Sequence, residues 1–405
     1  MAFEKTWRWF GFDDPVKLSD LRQIGIEGVV TALHHIPNGE IWTVEEIMKV
    51  KTAIEESGMR WSVVESLPVS EGIKTRSPDS DRLTNNYKES LRNLGKCGID
   101  TVAYNFMPVL DWVRTNMQFK LPSGGEVMYF DFATFVAFDV FILKRPEAEK
   151  DYPADIVNKA REKHNQMTEE EAENLARNII IISQGFIDGV VDDSAGEYKK
   201  VFLKHIDSYS KIDRNKLRQH LSDFIKEIVP VAQDSGINLC IHPDDPPFSV
   251  LGLPRIVSTK EDLEWIVNQY DSVSNGITFC TGSLSVKNNE TLEDIVRSVG
   301  PRIHFLHLRN NVLLPDESFH EYGHINGCVD MYSIMKLLLE EQQRRIIEGR
   351  KDIRMPVRPD HGIRMIDDYN RYANPGYPLV GRLKGLAELS GLEMGIERSM
   401  HDQKN

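Results

Sequence analysis

The fold is decided by four short apolar runs in the second half of this 405-residue chain: INLCIHP (residues 237–243), GITFCTG (276–282), RIHFLHLRN (302–310) and MPVRPDHG (355–362). Each run has the length of a buried β-strand, and longer amphipathic segments separate one run from the next. Parallel strands read as continuous apolar runs because crossover helices cover both faces of their sheet. This part of the chain therefore predicts a parallel α/β fold.

The same alternation begins near the N-terminus. Four further candidate strands are WRWF (7–10), GVVTAL (28–33), WSVVES (61–66) and TVAYNF (101–106). Eight strand–helix units predict a (β/α)8 TIM barrel, with an open doubly wound sheet as the alternative. Because no GxGxxG or Walker-type loop follows any of these runs, the nucleotide-binding open sheets lose their main support.

Helices are predicted between the strands, at residues 43–57, 81–96, 214–235, 259–270, 290–299 and 330–347, and from Leu379 onward. The alternation of strands and helices is interrupted between residues 113 and 211. This segment contains Pro-Ser-Gly-Gly, an aromatic run and the helix-like TEEEAENLARN. We predict that this segment is a largely helical insertion after strand four, and that residues 1–405 form a single barrel domain around it.

The overall composition excludes several classes of protein. The formal net charge is −13, with 40% hydrophobic and 27% charged residues. This is the balance of a soluble globular protein, and the acidity argues against nucleic-acid binding, which needs a basic face. The chain shows neither a signal-peptide-like start nor an apolar segment long enough to span a membrane. Four scattered cysteines without CxxC spacing indicate reduced thiols and predict a cytoplasmic protein.

Four residues at the ends of successive predicted strands could bind a metal ion. They are His242, Cys280, His307 and Asp360. In a TIM barrel the active site is assembled at the C-terminal ends of the strands, so these side chains would converge. Each residue type taken alone is more often structural. Their joint placement is what predicts a site for a divalent transition metal.

Two neighbouring residues compete with these ligands. Cys240 lies two residues before His242 and shares its face of the strand, but one layer deeper, where core packing explains it better. His304 points opposite to His307, towards the helix layer, and is expected to be structural.

A further stretch, HEYGH (residues 320–324), matches the zinc-protease motif HExxH. That chemistry requires a helix that places both histidines on one face. Gly323 and the following Asn326-Gly327 interrupt any such helix. The stretch is therefore predicted to be a loop on top of the barrel that touches substrate.

Several long sequence blocks resemble the bacterial mannonate dehydratases. They include TWRWFG, VVTALHHIPNGE, WSVVES, YNFMPVLDW, IHPDDPP, LGLPRIVST, FCTGS, HLRN, RPDHG and NPGY, and they extend over nearly the whole chain. The resemblance implies a TIM barrel of the xylose-isomerase-like group that uses Mn²⁺ or Fe²⁺. It also implies dehydration of D-mannonate to 2-keto-3-deoxy-D-gluconate in hexuronate (glucuronate) catabolism.

The resemblance also implies roles for individual residues. The family's metal ligands fall on the same four strand-end residues, and its proton-transfer pair falls on His361 and Tyr377. Which of the two is the base and which the acid stays open. His361 directly follows Asp360, so on a regular strand the two side chains would face opposite ways. The turn at Gly362 is expected to re-aim the imidazole.

Four further residues are candidates for binding a sugar-acid substrate. Arg309 and Arg358 alternate with the predicted ligands and could hold a carboxylate, with a barrel-interior ion pair as the alternative role. Asn105 and His34, near the ends of strands four and two, could contact hydroxyl groups. A homo-oligomer is expected, because barrels of this kind often self-associate. Competing functions are a metal-dependent sugar isomerase or epimerase on the same barrel, and a non-catalytic metal-binding barrel.

Overall fold

Eight parallel strands close into a barrel in the computed structural model, which describes residues 3–183, 197–286 and 291–402. The strands in chain order are β1 (Glu4–Arg8), β2 (Gly28–Thr31), β3 (Arg60–Glu65), β4 (Thr101–Tyr104), β5 (Asn116–Lys120), β6 (Glu126–Phe130), β7 (Asn238–Ile241), β8 (Asn275–Cys280), β9 (Ile303–Leu308), β10 (Asn310–Leu313), β11 (Phe319–Tyr322) and β12 (Pro356–Pro359). The barrel runs β1-β2-β3-β4-β7-β8-β9-β12 and closes with β12 on β1. The predicted TIM barrel and its eight strands are confirmed.

Helices follow the barrel strands, as parallel connections require. They are α1 (Leu18–Gln23), α2 (Val44–Glu56), α3 (Glu71–Thr75), α4 (Ser80–Lys96), α5 (Phe132–Ala137), α6 (Ala154–Gln166), α7 (Glu169–Arg177), α8 (Tyr198–Asp207), α9 (Arg214–Asp234), α10 (Lys260–Val267), α11 (Thr281–Leu284), α12 (Leu292–Val299), α13 (Met331–Ile347) and α14 (Leu379–Asp402). Thr43 caps α2 by accepting a hydrogen bond from the Glu46 amide. The predicted helix at 290–299 begins outside the described residues and continues as α12.

The segment between β4 and α9 is less helical than predicted. It contains α5 to α8, but it begins with the hairpin β5–β6, which pairs antiparallel with β11 of a later hairpin. The result is a four-stranded sheet, β10-β11-β6-β5, separate from the barrel. Residues 184–196 of the predicted insertion lie outside the described residues. The insertion limits of 113 and 211 stay a prediction.

The HExxH stretch is part of this small sheet, which corrects the expectation of a loop. Residues 319–322 form β11, paired with β10 on one side and β6 on the other. On a strand, His320 and Glu321 point to opposite faces, so the histidines cannot form the helical metal pair of a protease. The strand forms because partners on both sides complete its hydrogen bonds.

The barrel interior is filled below the level of the candidate site. Cys240 packs there with Val30, Val63, Ala103 and Phe305, and all five side chains are buried. This confirms that Cys240 is a core residue. His304 is buried outside this cluster, with Nε2 2.7 Å from the Val273 carbonyl oxygen, in keeping with a structural role. In the part of the chain that the structure describes, no helix is long and apolar enough to cross a membrane.

Candidate active site

Three of the predicted ligands meet at the C-terminal end of the barrel. One donor atom from each of His242, Cys280 and His307 lies within 4.8 Å of the other two. His242 Nε2 is 3.1 Å from His307 Nδ1. His242 Nδ1 is 2.7 Å from the Pro243 carbonyl oxygen, which can only accept, so Nδ1 donates and a neutral imidazole keeps a lone pair on Nε2. Once Nε2 has released any proton it carries, as metal binding requires, that nitrogen is available for a metal ion.

The Cys280 side chain is held as a thiolate. Burial alone would raise the pKa of this thiol, but Arg309 and hydrogen bonds from His242 and His307 hold it well below its usual range. The Ser283 hydroxyl donates to Sγ at 3.2 Å. The thiolate in turn outweighs the effect of burial on His242 and raises the pKa of that imidazole to about 8. A thiolate beside two imidazoles fits a divalent transition metal.

Asp360 lies beside this cluster and is bound to arginines. Its Oδ2 is 3.9 Å from both Cys280 Sγ and His307 Nδ1. Arg309 Nε approaches the same oxygen at 3.0 Å, and Arg358 contacts Oδ1. Burial alone would raise the pKa of Asp360, but Arg358 and its other cationic neighbours hold it well below the usual range. The carboxylate is available as a fourth ligand, and that role stays a prediction.

Asp360 and His361 both line the same cavity, although they are consecutive. The reason is that β12 ends at Pro359, so the alternation of a strand no longer applies to the two residues after it. His361 Nδ1 is 2.7 Å from Glu321 Oε1 on β11. This contact, which the sequence did not reveal, fixes the direction of the imidazole.

Tyr377 faces His361 across a tight turn. The two ring centroids are 5.1 Å apart at an interplanar angle of 82°. The Gly362 amide donates to the Gly376 carbonyl oxygen at 3.0 Å, which ties the loop after β12 to the loop before α14. Burial raises the pKa of Tyr377, an effect that Arg358 only partly offsets, so the phenol is neutral. The predicted proton-transfer residues are therefore neighbours.

A cavity that opens to solvent lies above the cluster, at the C-terminal end of the barrel where TIM-barrel active sites form. Its walls include seven of the predicted site residues: Asn105, His242, Arg309, Arg358, Asp360, His361 and Tyr377. Arg309 and Arg358 reach the cavity, but each already contacts at least two carboxylates. Both the pocket position and the ion-pair role expected for them are thus present.

Two predicted hydroxyl-binding residues differ in position. Asn105 lines the cavity and donates from its amide to the Asp111 carboxylate. His34 is exposed and lies beside Phe10, at a ring-centroid distance of 6.2 Å, rather than in the cavity wall. Substrate contact by either residue stays a prediction.

Sequence reasoning missed four polar residues around the site: Arg8, Glu65, Asp245 and Glu321. Arg8 lines the cavity and is 7% exposed, and its Nη1 has no hydrogen-bond acceptor among the residues that the structure describes. Glu65 Oε1 lies 3.1 Å from His307 Nε2, the position of a carboxylate that orients a metal-binding imidazole. Asp245 lies three residues after His242, in the PDD stretch, and Glu321 is the acid of the HExxH motif. Both residues therefore belong to sequence motifs that could have indicated a place near the site.

A family model for D-mannonate dehydratase (UxuA) matches residues 3–403 of the chain. The chain belongs to this family. It is 47% identical over 396 residues to "Mannonate dehydratase" of Chromohalobacter salexigens, covering 98% of this chain and 99% of that protein. It is 45% identical over 398 residues to "Mannonate dehydratase" of Marinomonas sp. (strain MWYL1), covering 98% of this chain and all of the relative.

Solved structures agree with the family. The mannonate dehydratase of Streptococcus suis serotype 2 superimposes with a TM-score of 0.75 at 31% identity, covering 98% of this chain and 95% of that one. D-psicose 3-epimerase of Clostridium cellulolyticum H10 gives a TM-score of 0.50 at 11% identity, a likeness of fold alone. The predicted family, and with it the predicted hydro-lyase class, is confirmed over a sugar epimerase or a non-catalytic barrel. The family is metal-dependent, and the cluster in this chain is a possible metal site.

Proposed function

We propose that the protein dehydrates D-mannonate to 2-keto-3-deoxy-D-gluconate, with a divalent metal ion held by His242, Cys280, His307 and Asp360. The observation that carries this proposal is the arrangement of one cavity. The cluster of a thiolate and two imidazoles adjoins it through His242, and an imidazole and a neutral phenol face each other in its wall. Membership of the D-mannonate dehydratase family supports the choice of substrate.

The metal ion would act as a Lewis acid that stabilises negative charge on the substrate carboxylate when the C2 proton leaves. The thiolate is a soft ligand and the carboxylate a hard one, a mixture that suits Fe²⁺ or Mn²⁺. We propose one of these two as the physiological metal. Metal analysis of protein purified without chelators, compared with activity after reconstitution with each ion, would identify it.

The remaining chemistry is proton transfer by two side chains. His361 donates from Nδ1 to Glu321, so the Nε2 of the neutral imidazole can accept the C2 proton. Tyr377 is a neutral phenol and can donate a proton to the departing C3 hydroxyl. We therefore assign His361 as base and Tyr377 as acid. Tyr377→Phe is expected to lower kcat by about 100-fold or more.

We propose that Arg8 binds the substrate carboxylate together with the metal ion. Arg309 and Arg358 are engaged by protein carboxylates. Among the described residues, by contrast, Arg8 Nη1 has no hydrogen-bond acceptor and pairs with Glu65 Oε2 at 3.5 Å. A buried guanidinium nitrogen without a hydrogen-bond acceptor gains most from a carboxylate, which can accept two hydrogen bonds at once. Asn105 remains a candidate for a substrate hydroxyl, and His34 could act only at the cavity entrance.

The proposal is tested by incubating the Mn²⁺-reconstituted protein with D-mannonate and following release of the 2-keto-3-deoxy acid. Formation of that acid supports dehydration, whereas an epimer or isomer of D-mannonate would indicate a sugar epimerase. No turnover with the metal fully bound would sink the proposal. The matched control is His361→Asn, which should keep the metal and lose the activity.

We also propose that the protein is a cytoplasmic homo-oligomer. The four cysteines are free, which suits a reducing compartment. Light scattering coupled to size-exclusion chromatography would test the assembly, and cell fractionation would test the location. A monomer at micromolar concentration would contradict the first proposal.

A further inference from the structure

Glu321 receives three hydrogen bonds at one oxygen. His361 Nδ1 lies 2.7 Å from Oε1, Arg309 Nη1 lies 2.8 Å away, and Arg114 Nη2 lies 3.0 Å away. All four side chains are buried. Glu321 is the acid of the HExxH stretch, and it is not one of the proposed metal ligands.

The backbone of Glu321 is fixed independently of the barrel. It lies on β11 opposite Asn311 of β10, and the preceding residue, His320, pairs with Tyr129 of β6. Two arginine contacts then fix the side chain. The carboxylate is thus held rigidly by the small sheet and points down at the loop that follows β12.

The consequence concerns the proton on the imidazole. A carboxylate next to two guanidinium groups is ionised and can only accept, so His361 must donate from Nδ1. In the neutral ring this leaves the lone pair on Nε2. We infer that Glu321 is a positioning residue that holds His361 in one tautomer and one orientation for proton transfer. The inference rests on the proposed function only for the role of His361 in catalysis.

Asp245 provides a matched comparison within the same network. It binds Arg114 through Oδ1 at 2.8 Å and Oδ2 at 3.0 Å, and it binds Arg309 at 2.5 Å. It is as buried as Glu321 but makes no hydrogen bond to His361 among the described contacts. Replacing either carboxylate by its amide disturbs the same arginines and removes a negative charge near His361, but only the change at Glu321 alters a hydrogen-bond partner of the imidazole.

The experiment compares Glu321→Gln with Asp245→Asn in the Mn²⁺-loaded full-length protein. For Glu321→Gln we expect kcat to fall by about 100-fold while KM changes by less than about 3-fold, because proton transfer is impaired and substrate binding is not. For Asp245→Asn we expect a fall of less than about 10-fold. Equal losses of kcat in the two variants would overturn the inference, since they would indicate a merely structural network.

A second measurement needs no substrate. Nitrogen-15 spectra of histidine-labelled protein loaded with diamagnetic Zn²⁺ report the tautomer of His361, assigned by comparison with His361→Asn. We expect an Nδ1–H tautomer in the wild type and in Asp245→Asn, and a mixture in Glu321→Gln. An unchanged tautomer in Glu321→Gln would overturn the inference. If the tautomer changes in Glu321→Gln but the wild-type protein does not turn over D-mannonate, the proposed function is refuted and the positioning role of Glu321 is not. If Glu321→Gln does not fold, Glu321→Asp, which keeps the charge but withdraws it from the ring, serves instead.

Discussion

Cys280 and Cys240 lie on adjacent barrel strands in opposite surroundings. Cys280 is a thiolate among cations, whereas burial raises the pKa of Cys240 to about 12, so that it stays a neutral core thiol. We predict that Cys280→Ser lowers Mn²⁺ affinity by more than about 100-fold, beyond the effect typical of residues that only orient a ligand. Cys240→Ala should keep the metal and lose roughly 1–2 kcal/mol of stability. Metal titration measures the change in Mn²⁺ affinity, and urea unfolding measures the change in stability. Equal metal binding in Cys280→Ser would contradict the ligand assignment.

Gly376 precedes Tyr377 and lies so close to His361 that no side chain fits there. Its φ is +80°, and a Cβ there would lie 2.9 Å from His361 Cδ2 and 2.6 Å from Met128 Cε. We predict that Gly376→Ala displaces the imidazole and lowers kcat by about 10-fold or more, in addition to a backbone cost of about 1 kcal/mol.

Gly124 is the control for that substitution. Its φ is +90°, but a Cβ would meet nothing within 4 Å. Gly124→Ala should therefore show a similar backbone cost with unchanged kcat. Thermal unfolding of both variants measures the backbone strain that they share. Steady-state kinetics measures the effect of displacing the His361 ring, which only Gly376→Ala should cause. If the two variants had equal kcat, the contact with His361 would be irrelevant to catalysis.

Individual site residues could be predicted from the sequence where their place at the end of a barrel strand determines where their side chain lies. His242, Cys280 and His307 stand at or near the ends of successive strands, and the barrel brings such ends together. Contacts such as that of Glu321 with His361 could not be predicted in this way. They depend on how a second sheet is placed over the barrel, which no local pattern encodes.

Among the elements, the small sheet is joined to the barrel by Arg114. This fully buried side chain binds Asp245, after β7, and Glu321, on β11. We predict that Arg114→Met destabilises the protein by about 3–5 kcal/mol, because it removes a cation that both buried carboxylates need. Amide hydrogen exchange should increase mainly in β5, β6, β10 and β11.

Arg145 offers the comparison, since it is a largely buried arginine bound to Asp139 and Asp151 away from the small sheet. Arg145→Met should also be destabilising, but its faster exchange should appear around α5 and α6. Faster exchange throughout the barrel in Arg114→Met would show that the arginine supports the whole fold rather than this sheet.

The elements also show why one part of the fold was not predicted. The barrel strands are mostly buried on both faces and lie in largely apolar runs, which the sequence alone makes recognisable. The strands β5, β6, β10 and β11 have four or five residues each, and β6 pairs with a strand nearly two hundred positions later. Because their stability comes from that distant pairing, the local sequence predicts a helical insertion where β5 and β6 lie and a loop where β11 lies.

At the scale of the whole molecule, buried carboxylates of two kinds take part in the response to acid. Burial alone would raise the pKa of Glu65, Asp245 and Asp360, but arginines hold all three below their usual range. Burial raises the pKa of Glu393, although its carboxylate accepts a hydrogen bond of 2.6 Å from the Phe3 amide and so ties α14 to the start of β1. The two kinds act in opposite directions.

For the three lowered carboxylates, the unfolded chain takes up protons at a higher pH than the native state does. Their stabilisation is complete above the unfolded pKa values, 3.8 for Asp and 4.5 for Glu, and is lost as the pH falls below them. For Glu393 the native state takes up the proton first. Its contribution therefore increases as the pH falls towards 4.5.

We predict, for the metal-free protein, a urea midpoint that falls gradually from about pH 6.5, because burial lowers the pKa of His304 to about 3 and that of His324 to about 4, so that the unfolded chain takes up these protons first. Below about pH 4.5 the fall should become steep, as the lowered carboxylates titrate; each group within its titration range contributes a slope of about 1.4 kcal/mol per pH unit. Glu393→Gln should make the gradual fall steeper, because the amide still accepts from Phe3 but does not titrate. A curve that did not steepen below pH 4.5 would contradict the assignment of the lowered carboxylates. A Glu393→Gln curve parallel to that of the wild type would mean that Glu393 does not take up its proton at a higher pH in the native state than in the unfolded chain.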